Sequence, residues 1–91
     1  MKTQYDPRFI AKLRKLNVRI RKSFKEKIII FEKDSSDSRL NNHPLKDKYE
    51  GLRSIDITND YRAIYEEIKI KEKAIAYFSL LGTHDELYKN S

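Results

Sequence analysis

AIAYFSLLGTHDELY, residues 74–88, opens with an apolar run and closes with polar side chains that are capable of chemistry. In residues 74–81 the apolar side chains fall at both odd and even positions. Strands with this composition are usually buried on both faces. We therefore predict that residues 74–81 form the central strand of a sheet.

The second part of this stretch follows Gly82 and predicts a last helical turn. Thr83 is followed three residues later by Glu86, which is the pattern of a capping box at a helix N-terminus. On such a turn His84 and Tyr88 lie four residues apart and share a face. The strand then delivers an imidazole and a phenol to the rim of the sheet, although a capped C-terminus with an idle histidine fits the same pattern.

The N-terminal third predicts two helices. Asp6-Pro7 is a strong helix start, with Asp as the N-cap and Pro in the first turn. Two apolar stripes at helical spacing follow, and their members are Phe9, Leu13, Leu16 and then Ile20, Phe24, Ile28, Phe31. We expect an antiparallel helix pair that covers a sheet, with either a break or near continuity at Asn17. Residues 2–5 are expected to form a short edge strand.

After the helices the period of the sequence changes from helical to strand-like. Residues 34–50 are rich in turn formers and predict an irregular stretch. Residues 52–57 and 61–70 predict two strands joined by a turn, and a second turn at residues 71–72 leads into the apolar strand. The fold class is therefore α+β, with two N-terminal helices packed on a small, mostly antiparallel sheet and a short C-terminal helical turn. We expect one domain, residues 1–91.

The charge is unevenly distributed along the chain. The net charge is +6, and residues 1–33 hold eleven Lys and Arg against three Asp and Glu, a balance of +8. A basic surface of this kind attracts phosphate and equally attracts an acidic protein partner. The chain has no Cys and no apolar run long enough for a signal peptide or a membrane span, which favours a cytoplasmic protein without membrane contact.

Few classes of reaction are compatible with this composition. The chain has no thiol, no dense cluster of metal ligands and only two glycines, which argues against a metal site and a glycine-rich phosphate loop. No Gly-x-Ser-x-Gly segment is present. What remains is acid–base chemistry on a phosphodiester, which needs a base, an acid and cations at the phosphate.

Several residues suit such chemistry. His43 and His84 are natural proton shuttles, and Asp60 is suited to act as a base or to orient a histidine. The candidate phosphate and base contacts are the cations Lys46, Lys48, Arg53 and Arg62 and the aromatic rings of Tyr61 and Tyr88. Taken singly, each residue also fits a structural role in a strand, turn or loop.

Four short segments of the second half form an ordered combination: HPLK at 43–46, YEGLR at 49–53, DYRAIY at 60–65 and GTH at 82–84. This combination resembles the RelE/ParE superfamily of bacterial toxins, and most closely its YafQ-like and RelE-like mRNA interferases. The resemblance covers nearly the whole chain, because the basic helix pair, the loop and the hairpin strands follow in the family's order.

The resemblance implies the toxin of a type II toxin–antitoxin system, a ribosome-dependent endoribonuclease that cuts mRNA in the ribosomal A site. It implies no metal and no cofactor, and products with a 2′,3′-cyclic phosphate and a 5′-hydroxyl. The acid–base positions carried over from YafQ-like enzymes are His43, Asp56, Asp60, His84 and Tyr88. Asp56 stands where the family pattern has an imidazole, and Tyr88 stands where it has Phe.

The implied partners are a cognate antitoxin, whose amphipathic C-terminal segment wraps the toxin, together with the ribosome and mRNA. A heterotetramer with the antitoxin fits this pattern. Two alternatives remain open. One is a ParE-like toxin that blocks DNA gyrase without cutting nucleic acid, against which the two histidines argue. The other is a catalytically silent module that binds RNA or the antitoxin, which Asp56 leaves open.

Overall fold

A computed structural model describes residues 1–88, and the last three residues of the expected domain, 89–91, lie outside the described part. The helices are α1 (Pro7–Lys15), α2 (Val18–Lys33) and α3 (His84–Tyr88). The strands are β1 (Lys2–Tyr5), β2 (His43–Pro44), β3 (Arg53–Asp56), β4 (Tyr61–Ile70) and β5 (Lys73–Thr83). Together these elements confirm the predicted α+β class.

Local capping sets the limits of the first two helices. The Asp6 carboxylate accepts a hydrogen bond from the Arg8 backbone N–H and starts α1 next to Pro7. Asn17 caps α2 through a hydrogen bond from the Ile20 N–H to its side-chain oxygen. The two helices are therefore separate, because the chain leaves helical geometry at Leu16 and Asn17.

The five strands form one sheet in the order β1-β5-β4-β3-β2. β3, β4 and β5 make the predicted antiparallel meander, and β1 adds to β5 in parallel. β5 has a neighbour on each side, but the middle strand is β4. The prediction of a central strand at residues 74–81 was thus correct about the interior position and wrong about the exact place in the order.

The core lies between the helices and one face of the sheet. Phe9, Phe31 and Phe78 are at most 1% exposed, and the ring of Phe78 lies 5.8 Å from Phe9 and 5.4 Å from Phe31 between centroids. The apolar stripes of both helices supply this layer, as predicted. Fully burying one such aromatic side chain contributes about 1.5–3 kcal/mol to folding.

A β-bulge changes which positions of β5 face the core. Tyr65 of β4 pairs with Phe78, but the preceding Ile64 pairs with Leu80, so Ser79 is an extra residue in β5. The bulge shifts the core-facing positions from Ala76 and Phe78 to Leu81. The expectation of burial on both faces was wrong, since Ile75, Tyr77 and Leu80 on the other face are only partly buried.

The predicted irregular stretch contains short regular pieces. Ser38–Leu40 and Asp47–Tyr49 are single 3-10 turns, and β2 pairs with β3 so that His43 lies opposite Ser54. Asn41 precedes β2 in the left-handed region, with φ of 49°, a conformation that Asn tolerates better than most residues. This geometry turns the loop back onto the edge of the sheet.

The predicted capping box is present at the start of α3. The Thr83 N–H donates to Glu86 Oε1 at 2.8 Å, and the Glu86 N–H donates to Thr83 Oγ1 at 3.1 Å. Lys12 of α1 adds an ion pair to Glu86 at 3.2 Å. The C-terminal turn is thereby fixed to the end of β5. No helix among residues 1–88 has the length and apolar character needed to cross a membrane.

Candidate active site

A cleft of about 420 Å³ lies on the face of the sheet opposite the two long helices. Ser54 of β3 and Arg62 of β4 point to this face because they alternate with the core residues Ile55 and Ala63. The loop before β3 and the helix after β5 supply the other walls. The predicted site residues that line the cleft are His43, Lys46, Arg62, His84 and Tyr88.

His43 is held in one ring orientation by the loop that precedes it. Its Nδ1 lies 2.7 Å from the backbone carbonyl oxygen of Asn41. A carbonyl oxygen only accepts hydrogen bonds, so Nδ1 carries a proton in this contact. The contact leaves Nε2 as the ring nitrogen for proton transfer.

His84 is placed by the backbone of the β3–β4 turn. Its N–H donates to the carbonyl oxygen of Asp60 at 2.9 Å, which ties the first residue of α3 to that turn. Its ring lies 4.7 Å from the ring of Tyr88 between centroids, as the shared helical face predicts. Asp60 is exposed and lines a small cavity of about 250 Å³ beside His84. The structure thus brings Asp60, His84 and Tyr88 to one rim.

Arg62 is the cation of the cleft, and Asp56 is its partner on the neighbouring strand. The two residues pair directly across β3 and β4, and Arg62 Nε lies 3.1 Å from Asp56 Oδ1. The side chains are 19% and 25% exposed, so water screens this ion pair only in part. Arg62 Nη1 also donates to the carbonyl oxygens of Thr58 at 2.9 Å and Tyr61 at 3.1 Å. These contacts hold the guanidinium in one position.

Tyr88 is supported by a residue to which the sequence assigned no role. The hydroxyl of Tyr49 donates to the backbone carbonyl of Leu87 at 2.6 Å, and its ring meets that of Tyr88 edge-on at 5.5 Å. Burial raises the pKa of Tyr88, the Tyr49 phenol raises it further, and Arg62 opposes this increase. Tyr88 is therefore a neutral phenol near neutral pH, able to stack or to donate a hydrogen bond.

The remaining predicted RNA contacts divide between two surfaces. Lys46 is exposed at the cleft, and the ammonium of Lys48 lies 5.1 Å from the centre of the Tyr49 ring. Arg53 lies on the helix-facing side, where its Nε donates to Asn42 Oδ1 at 2.9 Å. Tyr61 packs against the core cluster. The structure does not bring Arg53 and Tyr61 to the cleft.

Sequence reasoning missed three residues that build the site. Asn41 contacts both His43 and Asp56, Tyr49 secures α3, and Ser54 lies beneath the cleft with 1% exposure. Asn before a short edge strand signals a turn, but nothing in the sequence pairs it with Asp56 fifteen positions later. Among residues 1–88, no group of three or more His, Asp and Glu side chains is placed to hold a metal ion.

No protein-family model matches the sequence, and a search of the curated proteins finds no significant relative. Solved structures do match over nearly the whole chain. The YoeB/ParE toxin from Agrobacterium tumefaciens superposes with a TM-score of 0.73 at 16% identity, covering 92% of this chain and 99% of that chain. YafQ from E. coli gives 0.62 at 21% identity, covering 96% of this chain and 97% of that chain.

A third match comes from the archaeal RelE–RelB complex of Pyrococcus horikoshii OT3. Its TM-score is 0.69 at 19% identity, covering 90% of this chain and 92% of that chain. At these identities the likeness is one of fold, and a fold by itself does not fix a function.

Proposed function

Because the chain has the fold of the RelE and ParE toxins, we propose that it is the toxin of a type II toxin–antitoxin pair and cleaves mRNA in the ribosomal A site. One observation carries this proposal. The only two histidines of the chain, far apart in sequence, line one cleft together with Arg62. Two imidazoles beside a guanidinium are the groups that metal-independent cleavage of RNA requires.

In the proposed reaction His43 is the general base. Its Nε2 takes the proton from the 2′-hydroxyl, since Nδ1 is committed to the Asn41 carbonyl. The 2′-oxygen attacks the adjacent phosphorus, and the bond from phosphorus to the 5′-oxygen breaks. The products are a 2′,3′-cyclic phosphate and a 5′-hydroxyl.

His84 is the general acid of the same reaction. As an imidazolium it donates a proton to the departing 5′-oxygen, so that one proton enters the protein at His43 and one leaves at His84. Asp60 fixes the backbone of His84 through its carbonyl oxygen, and it lines the small cavity beside His84. Tyr88 stacks on His84 and limits the orientations of the imidazole.

The charge that develops on the phosphate is stabilised by Arg62 at the floor of the cleft and by Lys46 at its rim. Lys48 extends this positive surface over Tyr49. Arg53 and Tyr61 lie away from the cleft, and we give them no part in the reaction. No metal and no cofactor enter this scheme.

The proposed partners are a cognate antitoxin, the ribosome and its mRNA, all in the cytoplasm. The matched RelE–RelB structure is a complex, which supports an antitoxin partner, and we propose that the toxin and antitoxin form a heterotetramer. The helix pair offers an exposed cationic surface for ribosomal RNA or for an acidic antitoxin segment. Its exposed members are Arg8, Arg14, Lys15, Arg19, Arg21, Lys22, Lys25 and Lys33.

The test is cleavage of mRNA on programmed ribosomes, mapped by primer extension in the presence of EDTA. We expect discrete cuts in the A-site codon with the wild-type protein and a loss of about 10²–10⁴-fold with His84→Ala. Glu72→Gln, at the exposed β4–β5 turn far from the cleft, is the matched control and should cut normally. Growth arrest without any mRNA cuts would contradict the proposal, and inhibition of DNA gyrase would then be measured.

A further inference from the structure

Asp56 occupies a position where a proton acceptor is expected, yet both of its oxygens lie against polar partners. Oδ1 is at ion-pair distance from Arg62 Nε without hydrogen-bond geometry, and Oδ2 accepts a hydrogen bond from Asn41 Nδ2 at 3.3 Å. We propose that Asp56 and Asn41 are positioning residues that hold Arg62 and His43 in place for RNA cleavage, and that Asp56 does not take up the proton. This inference rests on the proposed function.

The contacts of Arg62 show what the positioning achieves. An arginine has five N–H donors in a planar fork. Nε lies against Asp56, and Nη1 donates to the carbonyl oxygens of Thr58 and Tyr61. Nη2 has no partner among residues 1–88, so its two N–H groups remain for two oxygens of a phosphate. Without Asp56, the guanidinium can rotate about the side-chain torsions of Arg62, and the Nη2 N–H groups then lose their fixed orientation.

Asn41 connects this pair to His43. Its side-chain amide donates to Asp56, while its backbone carbonyl accepts the Nδ1 proton of His43. The two contacts fix the side chain and the backbone carbonyl of Asn41, whose φ of 49° lies in the left-handed region. His43, Asn41, Asp56 and Arg62 therefore form one continuous chain of polar contacts from β2 to β4.

The same contacts favour His43 over Asp56 as the base. Both oxygens of Asp56 lie against Arg62 and Asn41, whereas Nε2 of His43 has no hydrogen-bond partner among residues 1–88 and the ring lines the cleft. The negative charge of Asp56 is also balanced by Arg62, so it opposes the approach of RNA less than a free carboxylate would.

Asp56→Asn and Asp56→Ala distinguish a positioning role of Asp56 from a role as the proton acceptor. Asparagine keeps the shape and an accepting oxygen, so we expect cleavage within about 10-fold of wild type, with the pH profile of kcat unchanged in form. Asp56→Ala should raise KM more than it lowers kcat. A loss of about 10²-fold or more in kcat for Asp56→Asn, with one limb of the pH profile removed, would overturn the proposal. Glu66→Gln, an exposed charge on β4, is the control for net charge.

A double-mutant cycle with Arg62→Lys makes the comparison sharper. If Asp56 acts only by holding Arg62, the effect of Asp56→Ala should nearly vanish once the guanidinium fork is gone. Fully multiplicative effects would show that Asp56 acts on the RNA by itself and would contradict the inference. Lysine is used because it keeps the charge while removing the fork.

A measurement that needs no activity separates this inference from the proposed function. In ¹⁵N-labelled protein we expect a proton on Nδ1 of His43 and restricted rotation of the Arg62 guanidinium, whose Nη1 is hydrogen-bonded. Asp56→Ala should speed that rotation, while Glu66→Gln should not. A freely rotating guanidinium, or a His43 Nδ1 without a proton, in the wild type would refute the network. Absence of mRNA cleavage with both signatures present would refute only the proposed function.

Discussion

The two faces of the sheet are built on different principles. The face under α1 and α2 is closed by aromatic rings, and Phe78 makes ring contacts with Tyr5, Phe9, Phe31 and Tyr65 at 5.1–5.8 Å. The opposite face holds the cleft, whose side chains are fixed mainly by hydrogen bonds and one ion pair. Stability is therefore concentrated on one face and proposed chemistry on the other, and substitutions on the two faces should affect different measurements.

The largest expected effect is that of Phe78→Ala on the helix-covered face. Removing this ring leaves a cavity at the centre of the core and should lower the free energy of unfolding by about 3–5 kcal/mol. Urea denaturation followed by circular dichroism measures the change. Leu80→Ala, two residues along β5 and only half-buried, is the matched control and should cost clearly less. Equal losses at the two positions would contradict the contrast between the faces.

The fold was predictable from the sequence because the core face obeys simple periodicities. Helical spacing in residues 9–31 and strand alternation in residues 52–70 report local geometry, and the capping box at Thr83 reports a helix start within three residues. The bulge at Ser79 was not predictable, because it depends on the register between two strands.

The candidate site was predictable only in part. The chemical types of His43, His84 and Arg62 indicated acid–base chemistry on a phosphodiester, and the family resemblance predicted that they lie in one site. The roles of Asn41 and Tyr49 depend on contacts across 15 and 38 positions of the chain, which no local pattern contains. Arg53 illustrates the opposite case, because its place on the helix side follows from strand alternation with Ser54.

The second prediction concerns the turn that joins the two faces. Thr83→Ala removes one half of the capping box and should cost about 1 kcal/mol of stability. Because α3 carries His84 and Tyr88, cleavage should fall as well. Thr83→Ser keeps the hydroxyl and should retain most of both properties. A stable Thr83→Ala protein with full activity would show that α3 is held by its packing alone.

Glu86, the acidic residue of the capping box, should make the stability of the protein depend on pH. The backbone N–H of Thr83, and after it the Lys12 ammonium, lower the pKa of Glu86 from its ordinary value of 4.5. Because the pKa of Glu86 is lower in the folded than in the unfolded protein, ionised Glu86 stabilises the fold at pH values above the unfolded pKa. This contribution disappears as the pH falls through the folded-state pKa. The stability difference between wild type and Glu86→Gln should therefore be constant at pH values well above 4.5 and shrink as the pH falls below that value. A constant difference would show that ionisation is unimportant.

A smaller effect is expected for Tyr49→Phe. The substitution removes the hydrogen bond to the Leu87 carbonyl but keeps the ring that packs on Tyr88, so the loss of stability should be about 1 kcal/mol. We expect KM to change little and kcat to fall by much less than the ~10²-fold of losing a catalytic group, because α3, which carries His84, loses one anchoring contact. Tyr77→Phe, whose hydroxyl bonds to Asp6 away from the cleft, is the control and should leave kcat unchanged. Equal kcat values for the two variants would contradict a role for Tyr49 in holding α3.

The smallest effect is expected at Ser54, directly beneath the cleft. Its Oγ is buried and has no hydrogen-bond partner among residues 1–88, while its strand neighbours His43 and Ile64 lie on either side. Removing an unpaired buried hydroxyl removes a desolvation penalty, so Ser54→Ala should leave stability within about 0.5 kcal/mol of wild type or raise it. Cleavage should be retained, because the hydroxyl is too buried to reach RNA. A strong loss of cleavage with intact folding would instead place Ser54 in contact with RNA, and the cleft would then open more deeply when RNA binds.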